Sequence, residues 1–212
     1  MPGGSPLRLQ ERDGAYVIRA GGHVLMSSQA HGSEEAMARA GLESARVSRA
    51  PRVLIGGLGL GYTLRATLDL LPAAGRVTVA ELSPAVVQWN RGPLAHLSGR
   101  ALEDARVAVH EGDLRALLRA SAPGAFDVLL LDIDNGPSEL TARGNGALYG
   151  ERGIASCREV LSPGGRLVVW IAAPDAAYLR RLKLGGFEAQ AREVRTRPGG
   201  PASHTLFISY RG

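Results

Sequence analysis

Residues 53–65 read VLIGGLGLGYTLR, and the organisation of the chain can be worked out from this stretch. A short apolar run ends in the spaced glycines Gly57, Gly59 and Gly61, and a segment with helical spacing follows. Glycines let a ligand approach the backbone closely, and the N-terminus of the next helix offers free N–H groups. Glycines also serve tight turns and close packing, so the motif alone leaves both interpretations open.

Downstream of this motif, apolar strand-like runs alternate with segments of helical spacing. Short apolar runs joined by helices are typical of a parallel sheet that is buried on both faces. We therefore predict an α/β fold with a doubly wound, Rossmann-like sheet of seven strands. The last two strands are joined by a turn rich in glycine and proline and should pair antiparallel. The predicted strands are 53–57, 76–82, 105–112, 126–134, 166–172, 187–196 and 203–211.

The first 50 residues differ from this pattern. Two short strand-like runs flank Gly21 and Gly22, which predicts a β-hairpin. A helical segment follows, with Ser33 as its predicted N-cap and two glutamates in its first turn. We therefore predict two units, an N-terminal hairpin and helix at 1–50 and the sheet domain at 51–212.

The composition is that of an ordinary globular protein. The chain has 212 residues, of which 45% are hydrophobic and 21% charged, enough for one well-formed core. The single cysteine, Cys157, excludes an internal disulfide and a cysteine-based zinc site, and we expect no metal. No apolar run is long enough for a membrane span and the first residues lack a signal-like apolar region, so we expect a cytoplasmic protein. The formal charge of +5 comes from scattered arginines, so we expect no nucleic-acid partner.

Acidic residues follow the second and third predicted strands. Glu81 ends the second strand, 20 residues beyond Gly61, where a carboxylate can accept hydrogen bonds from both hydroxyls of a ribose. Asp113 follows the third strand, where it can accept a hydrogen bond from an adenine amino group, cap the next helix, or do both. The predicted cofactor-binding residues are Gly57, Gly59, Gly61, Glu81, Asp113, Leu114 and Asp132.

Two carboxylates end the fourth predicted strand. Asp132 and Asp134 follow the apolar run 126–131, and because they are two residues apart, a strand would place them on the same side. Such a pair can hold a cationic amine or take a proton from it, and each carboxylate raises the pKa of the other. We predict both as catalytic residues. The alternative is that one of them caps a helix or organises the following loop.

Together these features resemble those of the class I S-adenosylmethionine-dependent transferases, and within that class the spermidine synthase (aminopropyltransferase) branch. The resemblance implies the seven-stranded sheet of the class I methyltransferase type, and S-adenosylmethionine or its decarboxylated form as cofactor. It is carried by the segments VLIGGLGLGYTLR (53–65), VTVAELSPAVV (77–87), VAVHEGDLRALL (107–118), FDVLLLDIDNGP (126–137) and ALYGERGIASCREVLSPGGRLVVW (147–170).

The resemblance also implies roles for single residues. Glu81 would bind the ribose, Asp113 would contact the adenine, and Asp132 would be the catalytic acid that deprotonates the attacking amine. Leu60 occupies the position where the family has an aspartate that helps hold the amine of the decarboxylated donor. The family's Tyr-His-Glu stretch aligns with residues 33–35, and its D-x-x-D-P-x-G-P pattern is two residues shorter here.

Three functions are compatible with this sequence. Leu60 and the altered aspartate spacing favour a methyltransferase that acts on a small acceptor, which could carry an amine. Asp132 and the overall similarity favour the alternative, an aminopropyltransferase of polyamine biosynthesis. The second alternative is a nucleoside-binding protein without turnover. The expected partner of an enzyme is a small-molecule acceptor, and the N-terminal hairpin could pair with a second copy in a homodimer.

Overall fold

The computed structural model describes residues 6–43, 48–133, 142–196, 200 and 204–212, and for 142–145 the backbone alone. The strands are β1 (Leu7–Arg12), β2 (Ala15–Ala20), β3 (His23–Ser27), β4 (Arg52–Gly56), β5 (Arg76–Glu81), β6 (Val107–Glu111), β7 (Phe126–Leu131), β8 (Leu161–Ile171), β9 (Phe187–Val194) and β10 (His204–Arg211). The α-helices are α1 (Gly32–Leu42), α2 (Tyr62–Leu70), α3 (Pro84–Arg91), α4 (Leu114–Ala120), α5 (Ala142–Tyr149), α6 (Glu151–Val160) and α7 (Ala176–Leu184). None of these helices is long and apolar enough to cross a membrane.

The predicted seven-stranded sheet is confirmed. Its strand order is β6-β5-β4-β7-β8-β10-β9, and neighbouring strands from β4 to β8 pair in parallel. β10 runs antiparallel to both β8 and β9, and its pairing with β9 confirms the prediction for the last two strands. The carboxyl ends of β4, β5, β6 and β7 therefore lie at one edge, where ligands bind in open sheets of this kind.

Helices cover both faces of this sheet because its strands are apolar on both sides. On β4, Val53 and Ile55 face the layer that contains α1, α2 and α3, whereas Leu54 faces the layer of α4 to α7. Helix α1 belongs to the first layer through Met37 and Ala40, although it lies in the predicted N-terminal unit. The boundary between units 1–50 and 51–212 stays a prediction.

The N-terminal sheet has three antiparallel strands in the order β1-β2-β3. The predicted hairpin of β2 and β3 is confirmed, and Gly21 (φ 54°) and Gly22 (φ 87°) provide its turn, which needs positive φ angles. Strand β1 was not predicted, because its sequence LRLQER is mostly polar and exposed. The sheet packs on the rest of the chain through Ile18, which is buried with Leu60 and Leu94.

A buried arginine anchors α1 to the large sheet. Arg166 of β8 is 6% exposed and donates hydrogen bonds to the carbonyls of Ala40 and Glu43 at the C-terminal end of α1. Its guanidinium also lies 4.8 Å from the ring centroid of Tyr210. A positive charge at this end of a helix satisfies free carbonyls and complements the helix dipole.

Replacing Arg166 with methionine should lower the free energy of unfolding by about 2–3 kcal/mol, because buried carbonyls lose their donor and a cation–π contact is lost. Urea unfolding followed by circular dichroism measures this change. Arg76→Met is the matched control, since Arg76 is exposed and donates to carbonyls of a surface turn. It should change stability by less than about 0.5 kcal/mol. Equal losses in both variants would contradict the anchoring role of Arg166.

Candidate functional site

The glycine loop after β4 touches the end of β7. Gly57 has a φ of 90°, and its N–H donates to the carbonyl of Ala80 at 2.9 Å. A Cβ atom at this position would lie 2.1 Å from the backbone carbonyl oxygen of Asp132. Only glycine satisfies both the backbone angle and this close approach. The packing interpretation of Gly57 is therefore correct, and it also places the loop directly beside Asp132.

The other two glycines are fixed by α3 and by the N-terminal sheet. Asn90 of α3 donates from Nδ2 to the carbonyl of Gly59 at 2.8 Å. Gly61 (φ 84°) precedes α2, and a Cβ there would lie 2.9 Å from Asn90 Oδ1. A Cβ on Gly59 would lie 3.1 Å from the sulfur of Met26 in β3. Sequence reasoning missed Asn90, although a buried polar side chain on an otherwise apolar helix face was a signal for it.

Glu81 lies at the end of β5, as predicted, and braces the glycine loop. Its two carboxylate oxygens accept hydrogen bonds from the backbone N–H groups of Leu58 (2.9 Å) and Ser83 (2.8 Å). Burial raises the pKa of Glu81, and these hydrogen bonds partly offset that rise. The backbone N–H of Leu82 also donates to this carboxylate, which has about four acceptor positions, so about one position is left for a ribose hydroxyl. Next to it, Leu82 is 53% exposed.

Asp113 lies beside Glu81 and caps α4. The N–H of Gly112 donates to the Glu81 carbonyl at 2.9 Å, which joins the ends of β5 and β6. The Asp113 side chain accepts from the backbone N–H of Arg115 at 2.8 Å and pairs with its guanidinium, which lowers the pKa of Asp113. The capping interpretation is confirmed, and the adenine contact stays a prediction. Leu114 is 7% exposed and its side chain packs against Gly56 at the end of β4, and its contact with the cofactor stays a prediction.

Asp132 follows the last residue of β7 and contacts α2. Thr63 Oγ1, in the first turn of α2, donates to Asp132 Oδ2 at 2.9 Å. Burial, and next the negative charge of Glu34, raise the pKa of Asp132 to about 7 despite this hydrogen bond. A carboxyl with such a pKa can accept and release a proton near neutral pH. Asp134, the predicted second carboxylate, lies outside the described residues.

The acidic neighbour of Asp132 in the described part of the chain comes from α1. Glu34 lies in the first turn of this helix and accepts a hydrogen bond from the buried Ser33 hydroxyl at 2.5 Å. Burial raises the pKa of Glu34, and the charge of Glu35 adds to the rise. Sequence spacing did not reveal this neighbour, since its approach to Asp132 depends on how α1 packs beside α2.

Negative charge dominates this edge of the sheet. Across the described residues, no arginine, lysine or histidine forms an ion pair with Glu34, Glu81 or Asp132. The nearby arginines have other partners: Arg65 pairs with Asp69 and Arg115 with Asp113. The same residues contain no group of three or more histidine, cysteine or acidic side chains that could hold a metal ion. The arrangement can bind a cation and exchange a proton with it.

Curated relatives are named as transferases of two kinds, whereas no family model matches the chain. The chain is 35% identical over 159 residues to Polyamine aminopropyltransferase 2 of Streptomyces coelicolor. This match covers 71% of this chain and 28% of the relative. It is 29% identical over 154 residues to Ribosomal RNA small subunit methyltransferase H of Xanthomonas campestris. This match covers 72% of this chain and 43% of the relative. The chain thus spans less than half the length of either relative.

Two solved structures show the same fold over nearly the whole chain. The spermidine synthase of Thermotoga maritima superposes with a TM-score of 0.76 at 18% identity, covering 97% of this chain and 70% of that one. A spermidine synthase in complex with the transition-state analogue AdoDATO superposes with a TM-score of 0.72 at 17% identity, covering 97% and 72%. The chain is therefore similar to spermidine synthases and shares the Rossmann-like α/β fold of their structures.

Proposed function

We propose that this chain transfers the aminopropyl group of decarboxylated S-adenosylmethionine to a small amine. The observation that carries the proposal is the negative charge around Asp132, which has no cationic partner among the described residues. S-adenosylmethionine carries a carboxylate, which these acidic groups repel, whereas the decarboxylated donor carries only positive charges. The similarity to a polyamine aminopropyltransferase supports the same donor.

The residues at the edge of the sheet suit a nucleoside. Glu81 keeps an acceptor position for a ribose hydroxyl while it holds the glycine loop through backbone hydrogen bonds. Leu82 offers an exposed apolar surface against which a purine ring can lie. Asp113, one strand further, is placed to accept a hydrogen bond from the adenine amino group, and the loop 57–61 would hold the aliphatic tail of the donor.

Asp132 would act on the acceptor. In the proposed reaction a neutral amine attacks the carbon next to the sulfonium, a C–N bond forms, and the C–S bond breaks to release a neutral thioether. The new ammonium gives its extra proton to Asp132, whose raised pKa suits that transfer. Because the sulfonium is already a good leaving group, the protein must chiefly align the amine and exclude water.

The position of Leu60 in the structure does not support methyl transfer. Its side chain is 5% exposed and packs against Ile18 and Leu94 under the N-terminal sheet. A residue in this position contacts protein rather than a donor. The acidic groups at the site come from other elements, so the missing aspartate of the glycine loop does not decide between the two donors.

Methyl transfer from S-adenosylmethionine is the second candidate. It is favoured by the similarity to a ribosomal RNA methyltransferase, which covers about as much of this chain as the similarity to the aminopropyltransferase does. Both candidate functions use the same nucleoside site, but only the methyl donor carries a carboxylate. Measuring which donor the protein binds therefore distinguishes the two functions.

Calorimetric titration with both donors, side by side, tests the proposal. We expect the decarboxylated donor to bind at least 10-fold more tightly, since a carboxylate near unpaired buried acids is unfavourable. Glu81→Gln should weaken both donors. Glu111→Gln is the matched control and should weaken neither, because Glu111 is the register partner of Glu81 on β6 but is 41% exposed and pairs with Arg91.

The outcomes of this titration are distinct. Preference for the carboxylated donor would overturn aminopropyl transfer and favour methyl transfer. Tight binding of the decarboxylated donor without product from any amine would point to the nucleoside-binding protein without turnover. Binding of neither donor would overturn both candidate functions.

A further inference from the structure

We propose that β9 is a docking edge for a second copy of this chain, whose own β9 pairs with it antiparallel so that the two large sheets become one. The inference is independent of the donor and the acceptor, since it concerns the outermost strand of the large sheet. This surface is also separate from the N-terminal hairpin.

β9 is the last strand of the large sheet and has one open edge. It pairs with β10 alone, and no other backbone hydrogen bond of its eight residues occurs in the described part of the chain. The edge of such a strand presents a row of N–H and C=O groups that can pair with another strand. Proline and bulges block such pairing, and β9 contains neither. The edge is therefore able to accept a further strand.

Opposite charges on β9 have no partner within the described chain. Glu188 and Arg192 are exposed, and neither forms an ion pair with a described residue. They lie on the same face as Gln190 but are separated by about 13 Å along the strand, so they do not contact each other. On β6, at the opposite edge of the sheet, Glu111 instead pairs with Arg91. The charges on β9 can therefore pair with those of another strand.

A two-fold axis through Gln190 brings these charges together. In an antiparallel pair with this centre, Glu188 of each copy lies opposite Arg192 of the other copy, and symmetry makes the two ion pairs equivalent. Opposite charges directly across an antiparallel pair stabilise it. Ala189 then lies opposite Ala191, and these small side chains present no obstacle. A second copy thus satisfies the open edge and both charges at once.

Neighbouring registers lack this complementarity. Moving the axis by half a residue toward Ala191 would place Glu188 opposite Glu193, where like charges are destabilising. Moving it by a full residue would place Arg192 opposite Gln190 and leave Glu188 facing an apolar side chain. The order of charges along β9 therefore selects the register that is centred on Gln190.

The size of the contact sets the expected affinity. Main-chain hydrogen bonds supply the affinity when one strand is added to another, and side chains supply the specificity. A strand pair of this length buries less area than a standard protein interface, so we expect a dissociation constant of about 1–100 μM.

Charge exchange across the axis tests the pairing. Glu188→Arg places arginine opposite arginine, and Arg192→Glu places glutamate opposite glutamate, so each variant repels a second copy of itself. An equimolar mixture of the two variants restores both attractive pairs, because every arginine then meets a glutamate. Glu193→Arg is the matched control, since it makes the same change of charge on the other face of the same strand.

The measurement is sedimentation velocity of the full chain at about 1–200 μM, a range that brackets the expected dissociation constant. We expect dimers of the unaltered chain and of Glu193→Arg. The dissociation constant of Glu188→Arg and of Arg192→Glu should rise at least about 10-fold, and the mixture should recover the dimer. Circular dichroism of each variant verifies that it is folded.

Three outcomes would contradict the inference. An unaltered chain that stays monomeric at the highest concentration would mean that β9 does not dock a second copy. Dimers that persist unchanged in Glu188→Arg and Arg192→Glu would place the interface elsewhere. Folded variants that stay monomeric when mixed would show that these two residues do not meet across a two-fold axis.

Discussion

Replacing Asp132 with asparagine should abolish most turnover and stabilise the folded protein. The activity should fall about 10²- to 10⁴-fold, the usual contribution of a positioned general base. Donor affinity should change little, because Glu81, Asp113 and the glycine loop are proposed to hold the nucleoside. The stability effect has the opposite sign, because burial and the charge of Glu34 make the ionised form of Asp132 unfavourable in the folded state.

The sign of the pH dependence follows from the raised pKa. In the folded protein the pKa of Asp132 is about 7, above its ordinary value of 3.8, so the folded state retains a proton that the unfolded state releases. Its contribution to stability therefore falls as pH rises through this window and is lost above about 7. Asparagine does not titrate and can still accept the hydrogen bond from Thr63. The stabilisation of Asp132→Asn should be larger at pH 8 than at pH 5, with a rise in Tm of a few degrees.

Asp127→Asn is the matched control for this prediction. Asp127 lies at the other end of β7, and although partial burial opposes its ionisation, hydrogen bonds from Arg52 lower the pKa of Asp127. Its replacement should lower Tm and leave kcat unchanged. Thermal melts at pH 5 and pH 8 and single-turnover rates measure both variants. If Asp132→Asn retained full turnover, or were less stable than the parent at both pH values, the role assigned to Asp132 would be wrong.

Replacing Gly57 with alanine should have the largest effect on stability. The added Cβ would lie 2.1 Å from the carbonyl oxygen of Asp132, a backbone atom whose residue is held by the hydrogen bond from its N–H to the carbonyl of Gly56. The backbone angle of Gly57, a φ of 90°, is also unfavourable for alanine. Clash and strain together should cost about 3 kcal/mol or more. The folded fraction should bind either donor more weakly, since the loop must move.

Gly164→Ala separates strain from clash. Gly164 has a similar φ of 73°, but a Cβ there would meet no atom within 4 Å. This variant should lose only about 1 kcal/mol, the cost of a left-handed conformation. Urea unfolding of both variants gives the comparison. Equal losses would mean that the contact between the glycine loop and Asp132 does not constrain position 57.

Local sequence signals were sufficient for the strands of the large sheet and for the N-terminal hairpin. The apolar runs predicted the strands of the large sheet because a strand buried on both faces must be apolar along its length. Gly21 and Gly22 predicted a hairpin because its turn needs positive φ angles. The polar strand β1 was missed, since a strand that is exposed leaves little hydrophobic signal.

Local signals did not predict which residues surround the carboxyl group of Asp132. The spacing of Asp132 and Asp134 suggested a pair on one strand, but β7 ends at Leu131 and Asp134 lies outside the described residues. The described neighbours of Asp132 are Thr63 and Glu34, which come from two helices distant in the chain. Asn90, which holds the glycine loop, was missed although it is a polar residue on an otherwise apolar helix face.

The sequence by itself determined the alternation of strands and helices, the glycine loop at the first crossover, and the acidic residues at the strand ends. These features depend on the period of hydrophobic residues and on backbone angles, which act over a few neighbouring residues. The tertiary structure alone decided that Leu60 packs under the N-terminal sheet and that the charge of Glu34 raises the pKa of Asp132. Both depend on how α1 and the N-terminal sheet pack against the large sheet, and packing between distant segments has no local period from which it can be predicted.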